Sequence, residues 1–506
     1  MKLSFYTLLF FALSNCLCAQ AVYEDLAFTS GLLHFTGAGK AEVLSNGGPK
    51  GERCNKITTT SIGNNRFQAT RYKTFGRKNY QLRGEKIEYT FQVKGKGSLE
   101  IICMNRGDRD SIPGNAEMVL LKKIGLSSEW QSVKVIFDCL SPRFGRTGHM
   151  TYRLSGEGNF FILADEHLKS IPPAGKPITA SPRHLITYPG EKVSVTFTLP
   201  EKAEYSIFDG AKESKVNAGS QFKINVCDKI SPSSPAPGTR IPGVGRVSVH
   251  SSATGQIADI FVNCISREQY QILDTAARKV KLEKPLNVLF LGDSLTDYDR
   301  SRNYTDKLAF WIEKYNPGKW HFRNAGVGGD HIISLHNRLI KNPRTWRPNM
   351  YKNLFSTPWD MIFIFIGHND TRAHYRTDGK IYQPVTPEDQ VRYWRQTIQF
   401  LRQKSKAKIV LLSPSASDFD MCVQAASYNK KAGKNYVIFG EAPRVKEYFA
   451  IQKQIAKEFD LDIIDIYTPL EKMSSKSHLF TKPDGVHLSS DGNNYLSLML
   501  LRFFSR

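Results

Sequence analysis

The sequence predicts a multidomain protein in which two all-β sandwich modules precede an α/β domain with a parallel sheet. Three observations carry that reading. The chain has 506 residues, too many for one typical domain. Up to about residue 270 its apolar residues fall in short runs that alternate with polar ones, the period of half-buried strands. Beyond residue 283 continuous apolar runs alternate with amphipathic stretches of helical length, as expected for parallel strands covered on both faces.

Taken in order, Lys2 is followed by the apolar run Leu3–Leu13 and then by Ala19-Gln20-Ala21. A charged start, a short apolar stretch and a small-residue site have the anatomy of a secretory signal peptide over residues 1–21. The run is shorter than the roughly 20 residues of a membrane span. A secreted protein, extracellular or periplasmic, with no integral membrane span is therefore expected. Residues 22–170 follow, with strand-like runs at Lys86–Val93, Ser98–Cys103 and Ser132–Phe137 punctuated by Gly, Asn and Asp. They read as a jelly-roll-like β-sandwich, either a carbohydrate-binding module or a structural spacer. The stretch Ile171–Pro177 reads as a linker. Residues 178–270 form a second, immunoglobulin-sized sandwich, with runs at Lys192–Leu199, Arg246–His250 and Asp259–Asn263 around a Pro/Ser/Gly-rich loop from Ser231 to Gly245.

Charge and cysteine content narrow the partners. A formal net charge of +23 attracts polyanions, whether nucleic acid, anionic membrane or acidic polysaccharide. A basic surface without a dedicated partner accounts for it equally well. No Lys/Arg block is interleaved with aromatics, which disfavours nucleic acid. Of the 8 cysteines, Cys16 and Cys18 lie in the expected leader. Cys103–Cys139 and Cys227–Cys264 are the bridges that export would permit, with buried free thiols as the alternative. No C-x-x-C or H-E-x-x-H spacing is present, so neither a metal nor another cofactor is expected.

The α/β domain spans residues 284–506. Its strands are expected at Val288–Leu291, Met361–Ile366, Ile409–Leu412 and Ile463–Ile466. Thr386-Pro387-Glu388-Asp389 opens a helix with an N-cap, a first-turn proline and acidic residues. Further helices run from about Arg444 to Glu458 and from Gly492 onward. Four polar clusters adjoin these elements. Gly292-Asp293-Ser294-Leu295 follows the first strand, where a serine on a glycine-eased turn before a helix would be exposed at the sheet edge. Asn324 to Asp330 holds glycines that let backbone N–H groups approach a ligand. Gly367-His368-Asn369-Asp370 ends the most apolar strand and puts an amide on the same rim. Asp484-Gly485-Val486-His487 precedes the last helix, and its spacing lets the carboxylate hold one imidazole nitrogen while the other faces a serine.

Together the clusters resemble the sequence blocks of the SGNH hydrolase superfamily, the GDSL-type esterases and lipases, over residues 284 to 506. The resemblance implies a flavodoxin-like α/β fold and a serine ester hydrolase. Ser294 would be the nucleophile, His487 the general base and Asp484 its partner, with the Ser294 N–H, the Gly329 N–H and the Asn369 amide as oxyanion hole. Asp293 and Asp330 read as turn-stabilising. His368, Arg372, His374 and Tyr375 are candidates for the substrate groove. The G-H-N-D form of the third block is similar to that of rhamnogalacturonan and pectin acetylesterases. With export and a basic surface, this points to O-acetyl esters on a polysaccharide, including an anionic one. The alternatives are an extracellular GDSL lipase or phospholipase, and an inactive carbohydrate-binding protein.

Overall fold

The computed structural model describes residues 26–27, 34–36, 39–59, 66–75, 86–105, 117–137, 148–171, 176–209, 212–226, 230–232, 243–251, 253–254, 256–297, 303–342, 351, 353–482 and 484–506. The expected leader, most of the expected linker, and Cys139 and Cys227 of the two expected bridges lie outside them. Cys54, Cys264 and Cys422 are buried free thiols. The chain forms a β unit that ends at Cys264 and an α/β unit that begins at Ile265 and includes the short stretch His184–Ile186.

The β unit is built on one long strand, Lys86–Asn105, where the sequence predicts two. Its first part pairs antiparallel with Phe160–Ile171 and Gln131–Phe137, and its second with Glu117–Leu126 and Gly148–Ser155. The strand passes from one sheet to the other at Gly95 and Gly97, whose φ angles of 157° and 107° only glycine adopts without strain. A Cβ on Gly95 would lie 2.1 Å from the Phe160 carbonyl oxygen, so the bend needs glycine. Alternate residues along these strands, among them Tyr89, Phe91, Leu99, Tyr152, Leu154 and Phe161, meet in one core. The second sandwich is also antiparallel. Ser194–Thr198 pairs with Thr179–Ser181 and Gln221–Asn225. Ala203–Phe208 pairs with Glu213–Ala218 and Val244–Ser251, and the latter pairs with Ile257–Cys264.

Numbering the elements of the α/β unit alone, its strands are β1 (Leu286–Asp297), β2 (Trp320–Gly326), β3 (Met361–Phe365), β4 (Ala373–Tyr375), β5 (Ile381–Tyr382), β6 (Lys408–Leu412), β7 (Tyr436–Ile438) and β8 (Asp462–Ile464). Its helices are α1 (Arg267–Lys279), α2 (Tyr304–Tyr315), α3 (Ile332–Leu339), α4 (His368–Thr371), α5 (Pro387–Lys404), α6 (Phe419–Lys431), α7 (Ala442–Glu458), α8 (Tyr467–Glu471) and α9 (Ser490–Phe504). Five strands make a parallel sheet in the order β2-β1-β3-β6-β8, the flavodoxin-like arrangement. Both faces are covered, which is why the central runs Val288–Leu291, Met361–Phe365 and Ile409–Leu412 are apolar at successive positions. Val288, Phe290, Phe363 and Leu412 point into the core under α1, α2 and α9. Leu289, Leu291, Ile364 and Leu411 point into the core under α3, α5 and α7.

The expected helix start at Thr386 holds, with its hydroxyl accepting the Asp389 N–H at 3.2 Å. Two features were not expected. The unit starts before residue 284, because α1 buries Leu273 and Ala277 in the first of these cores. A small antiparallel sheet, β5-β4-β7, stands beside the main one at the end of β3.

Candidate active site

The four polar clusters converge at the carboxyl ends of β1, β2 and β3, the rim where ligands of open α/β sheets bind. Ser294 is not on a turn before a helix as expected. β1 continues to Asp297, and both Gly292 and Asp297 pair with Gly326, so residues 293–296 bulge out of the ladder with Ser294 among them. A Cβ on Gly292 would lie 2.4 Å from Thr296 Oγ1 and 2.5 Å from the Phe365 carbonyl oxygen, so only glycine lets the bulge fold back. Inside it, Asp293 Oδ1 accepts the Leu295 N–H at 2.9 Å. Burial pushes the Asp293 carboxyl up to about 8, against that hydrogen bond and with help from the nearby Asp370, Asp330 and Asp297.

The loop after β2 is tied to the loop after β3. Asp297 Oδ2 accepts the Gly328 N–H at 2.6 Å, and Asn324 Oδ1 accepts the Gly326 N–H at 3.0 Å. Gly329 has φ of 87°, and its N–H makes no hydrogen bond within its loop. Asp330 forms two hydrogen bonds with the fully buried Arg338, at 3.0 and 2.7 Å. Its carbonyl accepts Asn369 Nδ2 at 3.0 Å, and Asp370 Oδ1 accepts the Ile332 N–H at 2.9 Å. Asp293 and Asp330 are thus occupied in shaping turns, as their positions in the sequence suggest.

Asp484 and His487 lie in the loop before α9. His487 Nδ1 is 2.7 Å from Asp484 Oδ2, and His487 Nε2 is 2.9 Å from Ser294 Oγ. Asp484 Oδ1 also accepts the N–H groups of Val486 and His487, at 2.9 and 3.0 Å. Burial raises the Asp484 carboxyl, but the hydrogen bond and charge of His487 and these two N–H groups outweigh it and hold the carboxyl below its usual range. A hydroxyl, an imidazole and a carboxylate in series can relay a proton and activate the hydroxyl as a nucleophile.

A cavity of about 290 Å³ opens on these groups. Ser294, Asp484, His487, His368 and Asn369 line it. Its opposite wall is Cys422, Ala425 and Ala426 of α6 with Val437 of β7 and Phe439, residues that sequence reasoning did not select. No pattern marks them, since Cys422, Ala425, Ala426 and Val437 are small apolar residues on elements without a strong period and Phe439 lies in the loop after β7. Of the four groove candidates, His368 lines the cavity; its Nε2 meets Ser415 Oγ at 2.7 Å. Burial and then the neighbouring His487 push His368 down to about 4, which leaves it neutral. Arg372 is half-buried, with Nη1 3.4 Å from Asn369 Oδ1. His374 and Tyr375 lie on β4 and are not among the residues lining this cavity. The Tyr375 hydroxyl donates to Glu441 at 2.6 Å, and its ring stacks on Tyr436. Among the described residues no group of three or more His, Cys, Asp or Glu side chains is placed to hold a metal ion. No helix among them is long and apolar enough to cross a membrane.

No curated protein matches the chain. Among solved structures, the lipase/acylhydrolase from Enterococcus faecalis is similar at 19% identity, covering 44% of this chain and 95% of that one, with a TM-score of 0.32. The CBM22-1 xylan-binding domain of Paenibacillus barcinonensis Xyn10C is similar at 12% identity, covering 31% of this chain and 98% of that one, with a TM-score of 0.23. Its companion CBM22-2 domain is similar at 15% identity, covering 30% and 99%, with a TM-score of 0.24. Residues 290–495 match the model of the GDSL-like lipase/acylhydrolase family, and the α/β unit that contains them has the fold of the GDSL/SGNH hydrolases.

Proposed function

We propose that the protein is a secreted serine esterase that removes O-acyl groups, chiefly O-acetyl, from polysaccharide. The observation that carries this reading is the chain from Ser294 Oγ through His487 to Asp484, with contacts of 2.9 and 2.7 Å. His487 takes the hydroxyl proton as Ser294 attacks the ester carbonyl, then returns it to the leaving sugar hydroxyl. Asp484 holds the imidazole tautomer and stabilises the imidazolium. The oxyanion sits among the N–H groups of Ser294 and Gly329 and the second Nδ2 hydrogen of Asn369. Water then enters by the same route, deprotonated by His487, and attacks the acyl-enzyme to release the acid and free Ser294.

Two observations support a short acyl group. The cavity, about 290 Å³, is at the small end of ligand sites, which run from about 300 to 1,000 Å³. Its lining includes an apolar patch of Cys422, Ala426, Val437 and Phe439, as an acetyl methyl requires, beside the polar Asn429, Asn435 and Tyr436. The net charge of +23 favours an acidic polysaccharide, and the first β-sandwich serves as a glycan-holding module in this reading. The test is acetate release from acetylated pectin, rhamnogalacturonan and xylan, beside a medium-chain lipid ester, for wild type and Ser294→Ala. Serine-dependent release from a polysaccharide is expected. Cleavage of the lipid ester alone would replace this reading with a lipase.

A further inference from the structure

We propose that Arg372 and the adjoining ring of Tyr382 form a subsite for a uronic-acid residue, holding its carboxylate beside the ester that Ser294 attacks. The proposal rests on the polysaccharide-esterase reading above and names the charged sugar that the site prefers.

Arg372 is a cation without an ion-pair partner among the described residues. A guanidinium stays charged at any pH the fold survives, and taking it partly out of water without a counter-ion is costly. Arg278, Arg338, Arg376, Arg392, Arg395 and Arg444 of the same unit each hold a carboxylate. Arg372 has no such ion pair among the described residues, although it is half-buried and its Nε is sealed from solvent without a partner. Its only hydrogen bond there is the long one, 3.4 Å, from Nη1 to Asn369 Oδ1. Burial holds its pKa below the usual guanidinium value, against the pull of Asp370 and Tyr382. Asp370 offsets it only in part. The Asp370 carboxyl is fully buried, gives Oδ1 to the Ile332 N–H, and is pushed by burial up to about 7.

The groups around Arg372 suit a sugar acid. His331 is pushed down to about 4 by burial and by Arg372, and His374 is lowered by the same two causes, so neither adds charge at neutral pH. His374 Nε2 is buried without a partner and is available as a neutral donor. The Tyr382 ring packs edge-on against His374 with centroids 5.8 Å apart and is 55% exposed. It offers an apolar face to the C–H side of a pyranose ring. A planar guanidinium next to an open aromatic ring matches a carboxylate carried on a sugar ring. Arg372 is linked to the catalytic cavity by its hydrogen bond to Asn369, which lines that cavity, and its sign agrees with the net charge of the chain.

The test separates the charge from the chemistry. Full-length Ser294→Ala protein is titrated by calorimetry with acetylated oligogalacturonate and with the same oligosaccharide as its methyl ester. The acid form is expected to bind about ten- to a hundredfold more tightly, the range for hydrogen bonds to a charged group. Adding Arg372→Gln should abolish that difference, whereas adding Tyr382→Ala should weaken both ligands alike. In the active enzyme, Arg372→Gln should raise KM on acetylated polygalacturonate and cost at least tenfold more there than on p-nitrophenyl acetate. Equal binding of acid and methyl ester overturns the proposal. So does an equal loss on both substrates, which would assign Arg372 to the oxyanion site instead. If wild type cleaves no ester at all, the esterase reading fails while the calorimetry still decides the subsite.

Discussion

Replacing Asn369 by alanine tests the oxyanion arrangement most directly. Its Nδ2 carries two hydrogens, and one is spent on the Asp330 carbonyl at 3.0 Å. The other is the donor left for a developing oxyanion. Loss of one such donor costs about 10²- to 10³-fold in kcat, or about 2.7–4 kcal/mol. The truncation has a second, separable cost. Asn369 is 5% exposed, so the truncation removes a buried hydrogen bond to the Asp330 carbonyl, which destabilises the fold by about 1 kcal/mol. The two effects are read by different assays. Initial rates on p-nitrophenyl acetate give kcat and KM, and a thermal melt gives stability. Because the donor acts on the charge of the transition state, KM should move by no more than about threefold while kcat falls. A folded Asn369→Ala protein with kcat within about fivefold of wild type would refute the assignment.

Two further substitutions probe the bulge that carries Ser294. Burial places the Asp293 carboxyl at about 8, far above the roughly 3.9 of an unfolded aspartate, so its protonated form is the one the fold prefers. That contribution is complete below the unfolded value and is lost as pH rises through the folded one. Tm should therefore fall from about pH 4 to about pH 8 and level off above that. Asp293→Asn, which keeps the acceptor for Leu295, should flatten the slope, and an unchanged slope would contradict it. Gly292→Ala puts a Cβ 2.4 Å from Thr296 Oγ1 and 2.5 Å from the Phe365 carbonyl. It should destabilise by about 1–3 kcal/mol and lower kcat about a hundredfold by displacing Ser294. A variant with wild-type turnover would show that the bulge tolerates a side chain.

The main sheet was legible because its strands are buried on both faces. Runs such as Met361–Phe365 have no polar position to confuse the period, and Thr386-Pro387 marks a helix start chemically. The four polar clusters were legible for a different reason, since they are polar interruptions at the ends of those runs. Elements that the sequence hid lack one or the other signal. In α6 only Cys422 and Ala426 are buried, too little apolar surface to mark a helical face. Strands β4, β5 and β7 are two or three residues long. Lys86–Asn105 was divided in two because Gly95 and Gly97 look like a turn, whereas here they carry one strand around a corner. The bulge at Ser294 was read as a strand end for the same reason: a glycine before polar residues signals a break, and only the pairing of Asp297 with Gly326 reveals that the ladder resumes.

The hidden helix matters most for the site, because it fixes the loop that carries the imidazole. Residues 484–489 are not a regular element that could hold His487 2.9 Å from Ser294 by its own geometry. The loop is clamped at three points instead. The Thr481 N–H and hydroxyl both donate to the His487 carbonyl, at 2.7 and 2.6 Å. Gly485, at φ of 69°, lies so close to α6 that a Cβ would sit 2.4 Å from the Asp418 carbonyl oxygen. Asp418 then closes the joint. Its N–H donates to the Gly485 carbonyl at 2.9 Å, its Oδ1 caps α6 through the Met421 N–H at 3.0 Å, and its Oδ2 accepts from Ser477. One residue thereby sets both elements, its carboxylate capping the start of the helix that walls the cavity and its N–H seating the loop that bears Asp484 and His487. The α6 wall of the cavity and the Ser294–His487–Asp484 chain therefore cannot shift independently. A substitution that widens the cavity by moving α6 must also disturb the distance between His487 and Ser294.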